Sequence, residues 1–402
     1  MAKDSGGAPP GRVRRRAYYI AGFDPASPKK YHRLYKEQSA LQGAVTGARY
    51  DVGDLSQIDE ITSGWRIDAE QPDGAQVEVD YRFLHWFEGV RQAWPKDDPR
   101  LFAGFFRSLV AYYRCGLMRR AKADAPAAWL ASLSPCLFAG GFLILFALAV
   151  WLLCWSGGVL ATKFGAPWIV GAAPPLLLWL LLMPAWRRFE AVLPVGWLGR
   201  GMIGVVRAAR GEVPQFAERA SAFAAKLVEA DREGGFDEML VVSHSMGAQQ
   251  ACRALGRALM TDPEFATRRP VRLLTLGSLL PFYSMTAAFY AKDPAYREEM
   301  AALVATDGIE WVDVTGPSDP GCAAALHPLL GLGLGEPEGR PHRRSPRYSE
   351  LLTPESFARL KKTPLAYHFQ YIMASEKAAE YDFFRLTAGP DPISRIATPP
   401  AS

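Results

Sequence analysis

From Ala125 to Thr162, and again from Phe164 to Trp186, no residue carries a charge, and Lys163 alone separates the two runs. A helix needs about 20 apolar residues to cross the hydrocarbon core of a bilayer. "LSPCLFAGGFLILFALAVWLLCW" (133–155) and "APWIVGAAPPLLLWLLLMPAW" (166–186) each supply that length. Core helices of soluble proteins rarely go so long without a charge, so the expectation is a transmembrane hairpin over 132–186, closed by the turn "SGGVLATKFG". Pro174 and Pro175 kink the second span or delay its start. Arg114, Arg119, Arg120 and Lys122 precede the first span and Arg187, Arg188 and Arg200 follow the second. With only Lys163 between the spans, the positive-inside rule places both flanking parts in the cytoplasm. The expected localisation is the inner or plasma membrane.

Outside these runs the chain reads as a globular domain. Its 402 residues, 49% hydrophobic and 22% charged, are able to bury a large core. The five cysteines form no CxxC pair, which points away from a zinc site or a disulfide framework. "RRAYYIAGF" reads as a buried strand and "SPKKYHRLYKEQSALQ" as the helix after it. It is too short an apolar stretch for a signal peptide. Pro72-Asp73-Gly74 divides two β-rich runs and predicts a hairpin, and residues 99–122 predict an amphipathic helix leading to the membrane.

After the apolar runs, Phe216, Ala220, Phe223, Ala224 and Leu227 fall on one helical stripe. Short strands ("EMLVVS", "VRLLTLG", "IEWVDVTG") then alternate with helices near 246–260 and 294–306. That alternation implies an α/β fold, a mostly parallel sheet flanked by helices. The expected organisation is one discontinuous domain, 13–131 and 187–390, interrupted by the hairpin, with tails at 1–12 and 391–402. Residues 329–349, rich in Gly, Pro and Arg, read as a surface loop.

The chemistry concentrates in "LVVSHSMGA", where an apolar strand runs through a tight turn at Ser245 into a helix. A serine nucleophile needs an exposed oxygen, a histidine to take its proton, a carboxylate to orient that histidine, and N–H donors for the oxyanion. A strand–turn–helix meets the first demand, and Gly247 allows the sharp turn. The plainer reading of Ser245 is a serine that starts a helix.

Ser243-His244-Ser245-Met246-Gly247 resembles the Gly-x-Ser-x-Gly nucleophile elbow of the α/β-hydrolase superfamily, with Ser243 in place of the first glycine. The resemblance covers most of 13–52 and 214–385. It implies a Ser, acid, His order along the chain. Asp319, just past a predicted strand in "WVDVTGPSDPG", is then the acid, with Asp313 its competitor. His368 in "TPLAYHFQYIMA" is the base, preferred to His32, His85, His244, His327 and His342, although no clear strand separates it from Asp319. The resemblance assigns the oxyanion hole to the N–H groups of Met246 and Phe23, with Asp24 next. It calls for no metal and no cofactor. The hairpin precedes the elbow and is not expected to act as a lid; 278–293 occupies the usual cap position, with aromatics and Met285 available for an acyl pocket.

The expected activity is a membrane-anchored serine hydrolase, lipase- or esterase-like, acting on a lipid or acyl ester. Acyl transfer, thioester cleavage and a non-catalytic scaffold are the alternatives. Residues 12–16, Arg-Val-Arg-Arg-Arg, read as a basic arm toward anionic lipid; no groove-reading or RNA-stacking motif accompanies them, so no nucleic-acid partner is expected.

Overall fold

The computed structural model describes residues 12–95, 98–164, 195–335 and 340–394, with single positions and short groups between 177 and 188 and residue 337. Nine strands form one mixed sheet: β1 (Val13–Ile20), β2 (Arg49–Val52), β3 (Ser56–Asp59), β4 (Thr62–Glu70), β5 (Gln76–Leu84), β6 (Glu238–His244), β7 (Val271–Leu276), β8 (Ile309–Val314) and β9 (His342–Arg344). Their order is β2-β4-β5-β1-β6-β7-β8-β9, with β3 paired to β4. From β5 to β9 neighbours run parallel, while β2, β3 and β4 form an antiparallel edge. The antiparallel part follows from the hairpin turn at Gly74, whose φ of 84° suits glycine. Strand β9 lies within the stretch read as a loop. It is three polar residues at the sheet edge, where one face needs no apolar cover, and therefore carries no strand-like pattern.

Side chains alternate across the central strands. Met239, Val241, Leu273 and Trp311 face one layer; Leu240, Val242, Leu274 and Val312 face the other. The second face is covered by α1 (Pro28–Thr46) through Tyr31 and Tyr35, with Tyr371 and Phe384 from the C-terminal region. The helices α2 (Phe87–Ala93), α3 (Asp98–Arg114), α4 (Leu117–Asp124), α5 (Pro126–Phe164) and α6 (Val195–Ala209) follow β5. The first face packs against parts of these and against α7 (Pro214–Glu233), α8 (Gly247–Thr261), α9 (Leu280–Tyr290) and α10 (Pro294–Ala305). The predicted single helix over 99–122 is two helices, because Gly116 takes a φ of 80° and turns the chain.

Among the described residues one helix is long and apolar enough to cross a membrane, Pro126–Ser156. Leu145 is 68% exposed and Trp155 63%, so its outer half presents an apolar surface. The turn expected at 156–165 is instead helical through Phe164, in keeping with a helix in apolar surroundings satisfying its own backbone groups. At the start of this helix, just past 131, Ser132, Cys136 and Ala139 are buried. Most of the second span lies outside the described residues, as do residues 1–11 and 395–402.

The basic arm is not free. Arg15 is buried and bonds Glu238 at 2.6 Å; Arg14 pairs with Asp237, Arg16 with Asp80, and Arg12 with Asp68 and Glu78. These acids lie far along the chain, on β4 and β5 or at the start of β6, so the sequence displays the cations without their partners. A second buried network joins α8 to α10: Glu299 bonds Arg253 at 2.7 Å and also Arg257, and Asp293 holds Arg253 at 2.6 Å. Glu299→Ala is expected to cost about 3 kcal/mol, the lower end for breaking a buried pair, because Asp293 still holds Arg253. A denaturant titration checks this; an unchanged midpoint would assign the network no net stability.

Candidate active site

Ser245 and Met246 lie between β6 and α8, and the φ of Ser245 is 57°. Left-handed backbone costs a non-glycine residue about 1–2 kcal/mol, so the surrounding structure has to impose it. Ser245 N–H donates to Leu276 C=O at 2.8 Å. Gly247 lies so close to the Ile20 and Ala21 carbonyls that a Cβ there would strike them. On the other side a Cβ on Gly22 would come within 2.9 Å of Ser245 Cβ. Ser243, at the position of the first glycine, is ordinary strand: it pairs with Ile20 and Thr275 and needs no special φ.

The end of β1 therefore nests against the elbow. Trp86 Nε1–H holds it from behind through Ala21 C=O at 2.8 Å. Asp24 closes the loop: its carboxylate accepts from Ala26 N–H, Lys30 and Tyr31 OH, and its own N–H donates to Gly22 C=O. Burial opposes the charge on Asp24, but Lys30 and these hydrogen bonds outweigh it and hold the carboxyl below its ordinary range. The Asp24 N–H is thus engaged. The N–H groups of Phe23 and Met246 donate to no group among the described residues, which leaves two backbone donors beside Ser245.

His368 comes from the short helix Pro364–Phe369. Its Nδ1–H donates to Asp319 Oδ2 at 2.8 Å, and both side chains are fully buried. Asp319 also accepts from Gly321 N–H at 2.7 Å and Tyr371 OH at 2.9 Å. Burial resists ionisation of Asp319; His368 and the three hydrogen bonds overcome it and hold the carboxyl below its usual value. The imidazole is also clamped sterically, since a Cβ at Gly321 would sit 2.5 Å from Nδ1 and one at Gly277 3.1 Å from Cε1. Its Nε2 has no hydrogen-bond partner among the described residues.

His244 lies 4.7 Å from His368 between ring centroids and donates from Nε2 to the His368 carbonyl at 2.9 Å. Burial and the neighbouring imidazole push it down to about 3, so it stays neutral and acts as a strut. The other histidines bond elsewhere, His32 to Gly53 C=O, His85 to Ser63 Oγ, and His327 to Leu329 N–H; His342 is exposed in β9.

Ser245, Phe23, Gly321 and Cys322 line one cavity of about 40 Å³. Tyr112, Ala131, Ser132, Trp197 and Gly201 also line it, so that among the described residues Ser132 alone of the expected hairpin 132–186 reaches the cavity. From the segment 278–293 only Leu279 and Phe282 reach the cavity; Met285 packs beside Gly116 and Gly331. Tyr371 was visible in the sequence only as an aromatic three residues past His368, and Trp197, whose ring centroid lies 5.3 Å from that of His368, carried no signal at all. Comparison with protein families, with curated proteins and with solved structures finds no match.

Asp313, the competing acid, points into the sheet and accepts from Thr275 Oγ1 at 2.5 Å. Burial lifts it to about 6, against the pull of Thr275 and Arg343. Between about pH 4, the ordinary aspartate value, and pH 6 the folded protein keeps a proton that the unfolded chain has lost. Asp313 therefore favours the folded state at low pH, and this contribution fades as pH rises through 6. Asp313→Asn is expected to flatten the stability–pH curve in that window, read by thermal unfolding from pH 4 to 7. A slope that persists would assign the proton to another group.

Proposed function

We propose that this protein is a membrane-anchored serine hydrolase of the α/β-hydrolase type, cleaving an ester of a lipid or acyl substrate. The observation that carries the reading is the left-handed Ser245, held between a buried strand and a helix and lining a cavity whose residues Gly321 and Trp197 pack beside the imidazole of the hydrogen-bonded His368–Asp319 pair. A plain helix-starting serine has no use for that strain, because ordinary caps are extended.

In this reading His368 Nε2 removes the Ser245 proton as Oγ bonds to the ester carbonyl carbon. The carbonyl oxygen becomes an oxyanion facing the Phe23 and Met246 N–H groups. The C–O bond to the alcohol breaks, and His368 returns its proton to the leaving oxygen. Water then attacks the acyl-enzyme, His368 takes the water proton, and Ser245 leaves with it as the acid is released. Asp319 holds the tautomer with Nδ1 protonated, so that Nε2 is the base in each half.

The exposed apolar helix supports the membrane anchor, and the cations flanking it support a cytoplasmic catalytic domain. With Arg12, Arg14, Arg15 and Arg16 paired to acids, contact with anionic lipid falls to the exposed Arg107, Arg114, Arg119 and Lys122, which have no ion pair among the described residues.

Labelling of membranes by a fluorophosphonate tests the chemistry. Wild type should react, Ser245→Ala should not, and His368→Ala should lose nearly all reactivity. Asp319→Asn should fall by about 10⁴-fold, as expected when the orienting carboxylate of such a triad becomes an amide, while His327→Ala and Asp313→Asn should stay near wild type. A folded wild type that remains unlabelled would remove the hydrolase reading.

A further inference from the structure

The cavity beside Ser245 has room for only a few water molecules, so a substrate with an acyl chain has to part its walls. The wall opposite the nucleophile is a seam between α5, through Ala131 and Ser132, and α6, through Trp197 and Gly201. Two features make this seam the yielding one. A Cβ on Gly201 would meet nothing within 4 Å, so empty space lies beside it. Pro135 removes the backbone N–H that would bond the Ala131 carbonyl, and Ser134 Oγ takes that carbonyl at 2.8 Å. The α5 backbone is weakened at the point where it lines the cavity.

The seam also lies at the apolar surface. Leu130, the neighbour of Ala131, is exposed, as are Leu137 and Phe138 about two turns on. Phe106, Val110 and Tyr113 add an exposed apolar stripe on α3, the helix whose Tyr112 faces the cavity. Arg107, Arg114, Arg119 and Lys122 border that stripe. An exposed apolar surface of this extent, edged by cations and continuous with a span-length helix, matches an anionic bilayer surface.

Resting on the reading of Ser245 as the nucleophile, we propose that the seam between α5 and α6 is the acyl-chain channel, that the chain reaches it from the bilayer, and that Gly201 sets its bore. The carbonyl sits at Ser245 while the hydrocarbon runs between Gly201 and Ala131 toward Leu130 and the lipid. Residues 278–293 contribute only Leu279 and Phe282, at the inner end.

The full chain in phosphatidylcholine–phosphatidylglycerol vesicles, treated with ethyl and dodecyl fluorophosphonates, provides the test. Wild type should prefer the dodecyl probe, and at fixed bulk probe its dodecyl rate should fall as lipid is added and the probe is diluted within the bilayer. Gly201→Leu should keep the ethyl rate within about twofold and lose the dodecyl rate at least tenfold. Ala131→Val, on the facing helix, should shift the ratio the same way and decides the matter if Gly201→Leu loses both rates through misfolding. Met285→Ala should leave the ratio unchanged.

An unaltered ratio in both channel variants, or a dodecyl rate indifferent to added lipid, would overturn the channel while leaving Ser245 a nucleophile. A folded wild type that reacts with neither probe would overturn the nucleophile and the channel with it.

Discussion

The close approach of two turns, one ending β1 and one ending β6, is the constraint on which the site depends. Ile20, Ala21 and Gly22 press against Ser245 and Gly247 with no space for a Cβ at either glycine. That contact keeps Ser245 in a backbone conformation it would otherwise avoid. Parallel pairing of β1 with β6, from Arg15–Glu238 to Ile20–Ser243, brings both turns to the same end of the sheet. The buried bond between Arg15 and Glu238 fastens the far end of that pairing. Geometry at Ser245 thus depends on register established several residues away.

Around this nest the polar groups form a single directed chain. Tyr371 OH accepts from Gly316 N–H and donates to Asp319, Asp319 accepts from His368, and the His368 carbonyl accepts from His244. A buried carboxylate is costly unless hydrogen bonds and a counter-charge replace its water. Here three donors do so, and the only ring nitrogen of His368 left without a partner is Nε2. The contrast with Asp313 is instructive. It is as deeply buried but has no imidazole partner, and its carboxyl is held up rather than down.

Legibility of this arrangement in the sequence follows from the range of the interactions. The strand–turn–helix at Ser245 is local, and so are the hairpin at Gly74 and the stripe of α7. The α/β layering follows from them. Strand β9 escapes notice because three polar edge residues look like loop, and the pairing of Arg14 and Arg15 with Asp237 and Glu238 escapes notice because more than 200 positions separate the partners. The cavity wall is the hardest to read. An apolar face on α6 has the same periodicity whether it fills a core or borders a substrate channel, and only the folded neighbours distinguish Gly199, packed tightly on Phe105, from Gly201, beside open space.

The first charge-free run and the cavity at Ser245 are joined through a single element. One helix, α5, begins in the wall of the cavity and continues without interruption into the exposed apolar stretch. A rigid helix transmits its own tilt, so whatever fixes α5 in a bilayer also fixes the orientation of the wall opposite Ser245. In the proposed enzyme the anchor therefore does more than raise the local concentration of lipid at the site. It aligns the seam with the acyl chains, and a change in tilt at Pro135 would alter the width of the channel without touching the nucleophile, its base or its acid.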